Sequence, residues 1–263
     1  GRMQLNNARI LLTGASGGLG QELARQLAAT GAAVLLAGRD QSRLRSLSAS
    51  LGGAAACVSG DLGRPAGVAA LAAAARDFEV NVLINNAGVG AFGLLETQEW
   101  STVEEVLATN LEGPIHLTHA LLPWLKAQPQ AAIVNIGSTF GSLPFPGFVA
   151  YSAAKAGLRG FSQALRRELA DSLVAVIHVA PRAIDTPLNS AAVNALNQAL
   201  KNHSDSAEEV ARQIVAALRR GDGEHHFGFP ERFFAWLNGV APSLIDRALS
   251  GKLAIVKQHS PSS

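Results

Sequence analysis

The sequence predicts an α/β fold: a doubly wound parallel sheet with helices on both faces, followed by a C-terminal helical extension. Three observations predict it. Six short apolar runs, at 8–13, 33–37, 54–59, 82–85, 131–137 and 174–179, read as strands. They are continuous rather than alternating, as strands covered on both faces must be. Segments of helical period lie between them, at 18–30, 40–51, 65–78, 99–125 and 150–171. Strands alternating with helices build right-handed βαβ units and a parallel sheet. Third, a glycine-rich turn joins the first strand to the first helix. In such sheets ligands sit beyond the carboxyl ends of the strands, so chemistry-bearing residues are expected just after each strand.

Composition narrows the function. The 263 residues are 48% hydrophobic and 16% charged, with net charge +2, and can bury a sizeable core. Lys and Arg are scattered, so no basic block points to nucleic acid. Cys57 is the only cysteine, which excludes a disulfide framework or a cysteine zinc cluster within one chain. Lying in an apolar strand, it reads as an inert buried thiol. His116 and His119, and His225 and His226, lack a third ligand in register, so no metal site is expected. No apolar run reaches the roughly 20 residues of a membrane-spanning helix. A strand pattern begins by Ala8 without a secretory signal pattern, and the cytosol is the expected location.

The elements carry their signals in order. The first strand runs into Thr13-Gly14-Ala15-Ser16-Gly17-Gly18-Leu19-Gly20, and a helix follows. Glycine permits a tight turn and close approach of backbone to ligand. The helix start offers free N–H groups and partial positive charge to a pyrophosphate. Asp61-Leu62 follows the third strand and Asn85-Asn86-Ala87-Gly88 the fourth. Asn110 lies in the long helical segment 99–125, where Pro114 and Pro123 are expected to kink or interrupt the helix. Ser138 follows the fifth strand, and Tyr151 and Lys155 form Y-x-x-x-K on the next helix. Pro181 and Thr186 follow the sixth.

Thr13, Gly14, Gly18 and Gly20 match T-G-x-x-x-G-x-G, and the later motifs complete a set. In this set the chain resembles the short-chain dehydrogenase/reductase family in its compact form, over about residues 8–229. The resemblance implies a Rossmann sheet, a nicotinamide dinucleotide, and interconversion of a hydroxyl and a carbonyl. It implies cofactor contacts from Gly14, Ser16, Gly18, Leu19 and Gly20, and from Asp61 and Leu62 at the adenine. Further contacts are implied for Asn86, Ala87, Gly88, Tyr151 and Lys155, and for Pro181, Ile184 and Thr186 around the carboxamide. Residues 3–229 are expected to form the dinucleotide-binding and catalytic domain, with 230–263 as the extension and tail.

Cofactor flavour is read at the end of the second strand, Leu36-Ala37-Gly38-Arg39-Asp40. An acid there bonds the ribose 2′-hydroxyl of NAD, whereas an Arg accommodates the 2′-phosphate of NADP. By the resemblance the acid would sit at Gly38, and Arg39 follows at once, so NADP(H) is expected over NAD(H). Asp40 either opposes the phosphate or caps the next helix; the helical pattern starting there favours capping. Gly17 stands where some NADP-preferring relatives carry a basic residue, so Arg39 is expected to act nearly alone.

The catalytic residues implied are Asn110, Ser138, Tyr151 and Lys155. Tyr151 is the only tyrosine, and Lys155, one of five lysines, lies on the same helical face. A phenol titrates near about pH 10, too high for a base at neutrality. A neighbouring ammonium is expected to lower that value and make Tyr151 a general acid/base. Ser138 would bond the substrate oxygen. Thr139 is either a second donor or a strand-end hydroxyl bonded locally, the latter favoured. By the resemblance, Lys155 bonds the nicotinamide ribose and Asn110 holds, through its backbone, a water that links the lysine to solvent. Arg182 replaces the family's usual Gly after Pro181; it either meets an anion or is solvated, and solvation is favoured.

Beyond the sheet, segment 188–200 reads as a lid helix with an apolar lining. Segment 232–249 concentrates Phe233, Phe234 and Trp236 with five aliphatic residues. It is expected to pack on the parent domain or a second copy, with peripheral membrane contact as the alternative. The expected substrate is a mostly apolar small molecule. Relatives pair through the helices after the fourth and fifth strands, so a homo-dimer or tetramer is expected. Two alternatives stand. One is a 3-ketoacyl-thioester reductase docking a carrier through Arg159, Arg166 and Arg167. The other is a non-catalytic NADP-binding sensor or scaffold.

Overall fold

Burial on both faces explains why the strand runs are unbroken. The computed structural model describes residues 2–185, 189–221, 223–228 and 230–261. The first half runs β1 (Arg9–Leu12), α1 (Gly18–Ala29), β2 (Ala33–Gly38), α2 (Gln41–Ser50), β3 (Ala55–Ser59), α3 (Pro65–Asp77) and β4 (Val82–Asn85). Next come α4 (Trp100–Leu107), α5 (Gly113–Lys126), β5 (Ala131–Ile136), α6 (Val149–Glu168) and β6 (Val174–Ala180). Then follow β7 (Ile184–Asp185), α7 (Ala191–Ala199), β8 (Asp205–Ser206), α8 (Ala207–Arg220) and β9 (Gly223–His226). The chain closes with α9 (Glu231–Val240), α10 (Pro242–Ser250) and α11 (Leu253–His259). The main sheet is parallel throughout, in the order β3-β2-β1-β4-β5-β6-β9. β7 and β8 pair separately.

Alternate residues of each strand feed two cores. Ile10 and Leu12 join Leu23 and Leu27 of α1 and Ile214 and Leu218 of α8 on one face. Leu11 joins Leu71 of α3, Leu117 and Leu121 of α5 and Leu165 of α6 on the other. Strand order reverses between β1 and β4, whose carboxyl ends open the crevice where ligands bind in such sheets.

Four expectations change. A seventh strand, β9, completes the sheet; its sequence Gly223-Glu224-His225-His226 has no apolar run to announce it. The helix expected over 99–125 is broken by a π-helical turn, Ala108–Glu112, before Pro114 opens α5. Pro123, by contrast, sits inside α5 without ending it. Cys57 is half-buried rather than buried. The extension is three helices, broken first at Ala241-Pro242 because proline cannot continue a helix. Its inner side chains Ala235, Ile245 and Val256 are buried against the parent fold, while Phe233, Trp236, Val240 and Leu244 face outward. Among the described residues, no helix is long and apolar enough to cross a membrane.

A polar rung crosses the sheet beneath α6. Asn85, Asn135, His178 and Glu224 stand in register on β4, β5, β6 and β9. Asn85 Nδ2 donates to Asn135 Oδ1 at 2.8 Å, and Asn135 Nδ2 donates to Ser162 Oγ of α6 at 2.9 Å. Glu224 accepts from Arg159 and, at 3.1 Å, from Gln163, both on α6. The helix is thus registered on the sheet by directional bonds as well as by apolar packing. His178 fits because Gly137 leaves room: a Cβ there would lie 2.4 Å from His178 Nε2.

Burial lowers the His178 pKa to about 4, against the attraction of Glu224. Glu224 is held well below the usual carboxylate range by His226, then Arg159 and Gln163. An unfolded imidazole titrates near about 6.5, so the unfolded chain binds more protons between those two values. Stability is therefore complete above about pH 6.5 and drains as pH falls toward about 4, by on the order of 3 kcal/mol. Urea denaturation over that range checks the expectation. A midpoint that does not move would exclude a buried neutral imidazole at 178.

Candidate active site

The first half of the site is the crevice at β1 and β4. Gly14 takes φ +60° and turns the chain where a Cβ would meet Ala87 Cα at 2.8 Å. Thr13 clamps the two strand ends: its Oγ1 accepts from Asn86 N at 3.0 Å and Ala87 N at 2.9 Å. Helix α1 begins at Gly18 with no side-chain cap and no acid in its first turn. Its opening N–H groups are thus available to an anion. Gly14, Ser16, Gly18, Leu19, Gly20, Arg39, Asp61, Leu62, Asn86, Ala87 and Gly88 all line this groove.

At the end of β2 the groove also takes Arg43, which sequence reading missed. Arg43 is four residues after Arg39, one turn into α2, so helical spacing alone could have found it. Asp40 caps α2, its Oδ1 accepting from Arg43 N at 3.2 Å. Arg39 is not free; its Nη1 lies 3.3 Å from Glu105 Oε1, both side chains more than half exposed. Asp61 turns the chain after β3, accepting from Gly63 N at 2.9 Å.

The second half is a cavity of about 870 Å³ that shares Leu19, Asn86, Gly88 and Val89 with the groove. Asn110, Ser138, Tyr151 and Lys155 all line it, as do Pro181 and Ile184. Thr186, the remaining expected contact, lies outside the described residues, as does Leu188 of the expected lid. The rest of the segment expected as a lid forms α7, capped by Ser190, whose hydroxyl accepts from Val193 N. Thr139 is buried and bonds Pro181 O, a local role.

Lys155 is buried at 5% exposure, and its Nζ donates to Ile136 O at 3.1 Å. Burial lowers its pKa to about 8. The Tyr151 pKa is raised by burial, with the Ser138 hydroxyl beside it pulling the other way. This corrects the expectation that the ammonium lowers it. Lys155 Nζ stands 5.6 Å from the ring centroid and spends its hydrogen bond on backbone, so desolvation wins.

Asn110 explains the broken helix. Its Nδ2 donates to Val89 O and Val106 O, both at 2.8 Å, while Oδ1 is buried with no partner. A Cβ on Gly88 would lie 2.6 Å from that Oδ1 and 3.7 Å from Lys155 Nζ, so the two groups flank the same glycine. π-turns of this kind recur at functional sites.

Phe140, Phe145 and Phe148 stack into one aromatic wall with Tyr151, ring centroids 5.0–6.5 Å apart. Sequence reading missed this wall because its members fall in an irregular loop. Arg182 also departs from expectation. Far from being solvated, it grips Asp205 of β8 bidentately at 2.8 and 2.9 Å and reaches Glu231 of α9 at 3.4 Å. Arg182 therefore ties the loop after β6 to the extension. Among the described residues, no group of three or more His, Cys, Asp or Glu could hold a metal ion.

Comparison with known proteins agrees with this geometry. The family model described as short chain dehydrogenase matches residues 8–197. Dehydrogenase/reductase SDR family member 7B of Mus musculus is 33% identical over 264 residues, covering 94% of this chain and 82% of that protein. A short-chain dehydrogenase structure from Streptomyces avermitilis superposes with TM-score 0.78 at 29% identity, covering 95% and 98% of the two chains. An NADPH-bound short chain oxidoreductase from Pseudomonas aeruginosa PAO1 gives TM-score 0.76 at 26% identity, covering 86% and 98%. The chain belongs to the short-chain dehydrogenase family of oxidoreductases. That family binds a nicotinamide cofactor. The groove fits one: its glycine turn admits backbone-to-phosphate approach and its helix start is uncapped.

The Arg182 latch has a measurable consequence. Arg182→Ala removes the cation that Asp205 and Glu231 share and is expected to cost about 1–3 kcal/mol of stability. Arg182→Lys should restore only part, since an ammonium cannot reproduce the planar fork. Thermal unfolding of both variants tests this; an unchanged midpoint in Arg182→Ala would show that the contacts carry no net energy.

Proposed function

We propose that this enzyme is an NADP(H)-dependent oxidoreductase that interconverts a hydroxyl and a carbonyl on a mostly apolar small molecule. The observation that carries the reading is the cavity holding Tyr151, Ser138 and Lys155, which runs into a groove built for a dinucleotide. A bound nicotinamide supplies or accepts the hydride.

In reduction, Tyr151 Oη gives its proton to the carbonyl oxygen as that oxygen gains charge. Ser138 Oγ holds the same oxygen and stabilises the developing alkoxide. A phenol raised by burial stays protonated at neutral pH, which suits Tyr151 to donating. With a cofactor bound, Lys155 would hold its ribose hydroxyls and support the phenolate left behind. By family analogy the Asn110 backbone would hold a water through which the proton returns by way of Lys155, and the unpartnered Asn110 Oδ1 flanks the same glycine as Lys155 Nζ. The residues named from sequence for these roles keep them in this reading, and 3–229 is its catalytic unit.

Three features support NADP(H). Gly38 leaves no acid for a ribose 2′-hydroxyl, Asp40 is committed to its cap, and Arg39 and Arg43 both face the groove. A phosphate would draw Arg39 from its exposed pair with Glu105, which is worth little in water. The NADPH-bound neighbour agrees. Apolar substrate follows from the aromatic wall. The carrier-docking alternative loses Arg159, which is engaged by Glu224 inside the fold. A cytosolic location and pairing of copies through α5 and α6 complete the reading, resting on family membership.

Two measurements test it. With a carbonyl panel and NADPH, Tyr151→Phe should lose on the order of 100- to 10,000-fold in kcat. NADPH should bind more tightly than NADH, and Arg39→Ala with Arg43→Ala should remove that preference. Equal binding of the two cofactors would overturn the NADP assignment.

The pH profile carries a sign. Below about pH 8 Lys155 is an ammonium; above it the charge is lost while the raised phenol keeps its proton. Reduction should hold below about pH 8 and fall above it. A profile flat to about pH 10 would show that the Lys155 charge is not required.

A further inference from the structure

We propose that the substrate is an anionic amphiphile: a carbonyl-bearing apolar chain whose negatively charged head is met by Lys201 and Lys252. The proposal rests on the reading above and names the substrate class for that same cavity. Sequence reading found no sign of anion recognition, since the two lysines stand 51 positions apart and share no motif. The fold brings both to the cavity that holds Tyr151.

The cavity combines two kinds of surface. Phe140, Phe145, Phe148 and Phe92 form a wall with Tyr151. Phe234, Ile245 and Leu249 of the extension add apolar surface. Beyond Lys155 and His203, the charged side chains in the described lining are Arg182, Lys201, Glu231 and Lys252. Arg182 and Glu231 line it but neutralise each other, and Arg182 also engages Asp205. Lys201 and Lys252 line it with no carboxylate within ion-pairing distance among the described residues. No unpaired carboxylate joins them in the lining. The cavity thus presents an apolar body and a cationic rim.

The rim is built from elements that pack together. Lys201 follows buried Leu200 at the end of α7, and Lys252 immediately precedes α11. Leu196, Leu200 and Val256 of those two helices join one core with Phe145 and Phe148. Lys201 holds the left-handed φ of +54°, with Lys201 N bonded to Gln198 O and Asn202 N to Asn197 O. Glycine usually fills that position in a helix-terminating turn. The side chain is therefore carried at a fixed site on the rim rather than on a loose tail.

Charge, not length, is the expected discriminant. Two exposed or half-exposed ammonium contacts together are expected to favour an anionic head about tenfold. The head chemistry admits a phosphate or a carboxylate, and the probes separate them. Dodecyl phosphate, dodecanoate and dodecanol are titrated into the full chain in a calorimeter, which reads binding whether or not turnover occurs. Both anions, or the phosphate alone, should bind about tenfold more tightly than the alcohol. Lys201→Gln with Lys252→Gln should remove the difference, and Lys→Arg at both positions should keep it. Raising salt should shrink it. Equal affinity of all three probes, or a preference that survives the double Gln substitution, overturns the proposal. A panel of ketones, neutral and anionic at matched length, then separates the two levels of argument. Turnover of both with a kcat/KM ratio near one retires the anionic head and leaves the oxidoreductase reading intact. Anion-selective binding with no turnover of any carbonyl does the reverse.

Discussion

Helix α6 carries the phenol and the ammonium, and everything chemical in this fold depends on how that helix is seated. Apolar packing alone would allow it to slide or rotate on the sheet, because packing is weakly directional. Here a row of amide, imidazole and carboxylate groups crosses four strands beneath it, and Arg159, Ser162 and Gln163 bond down to that row. Buried polar networks that are well satisfied specify one arrangement. The partners are not all satisfied, since both His178 ring nitrogens lack hydrogen bonds. That imperfection explains why the imidazole remains neutral and why the seat is sensitive to acid rather than to base.

The same burial sets the resting protonation of the two groups. A buried lysine and a buried phenol each favour the uncharged form, so desolvation lowers one and raises the other. The sequence argument considered the attraction between the two and omitted the cost both incur on leaving water. Geometry decides between these effects: Lys155 Nζ faces the ring and the Ile136 carbonyl. A charged cofactor and its ribose change that balance locally. Without them the phenol keeps its proton.

Legibility in the sequence followed the type of signal. Apolar runs and helical periods made six of the main sheet's seven strands readable, because burial on both faces leaves an unbroken pattern. β9 stayed hidden because an edge strand that feeds a carboxylate, Glu224, and an imidazole, His226, into a polar cluster needs no apolar run. The glycine turn and Y-x-x-x-K were readable because each chemistry requires fixed spacing. Arg43, the Phe140–Phe148 wall and the Arg182 latch were not, since each is a product of tertiary approach. Arg182 is instructive: its replacement of a glycine was visible, but Asp205 and Glu231, its two partners, lie 23 and 49 residues away.

That latch also accounts for how the extension becomes part of the site. The loop after β6 approaches the cofactor groove, β8 precedes α8 of the main fold, and α9 opens the extension. One guanidinium joins all three, at 19% exposure, where its pairs are screened less than on the open surface. The helices α9 to α11 bury few large side chains on the parent fold and leave Phe233 and Trp236 outward. Their attachment therefore relies on the few contacts they do make: this ion-paired node, the Val256 core, and Asn238 donating to Ser142 O at 3.0 Å. Each of these three points borders the loop or the wall that encloses Tyr151. Held at these few nodes, the extension brings Phe234, Ile245 and Leu249 to the cavity lining, so part of the apolar surface around Tyr151 is set by contacts made far from the sheet.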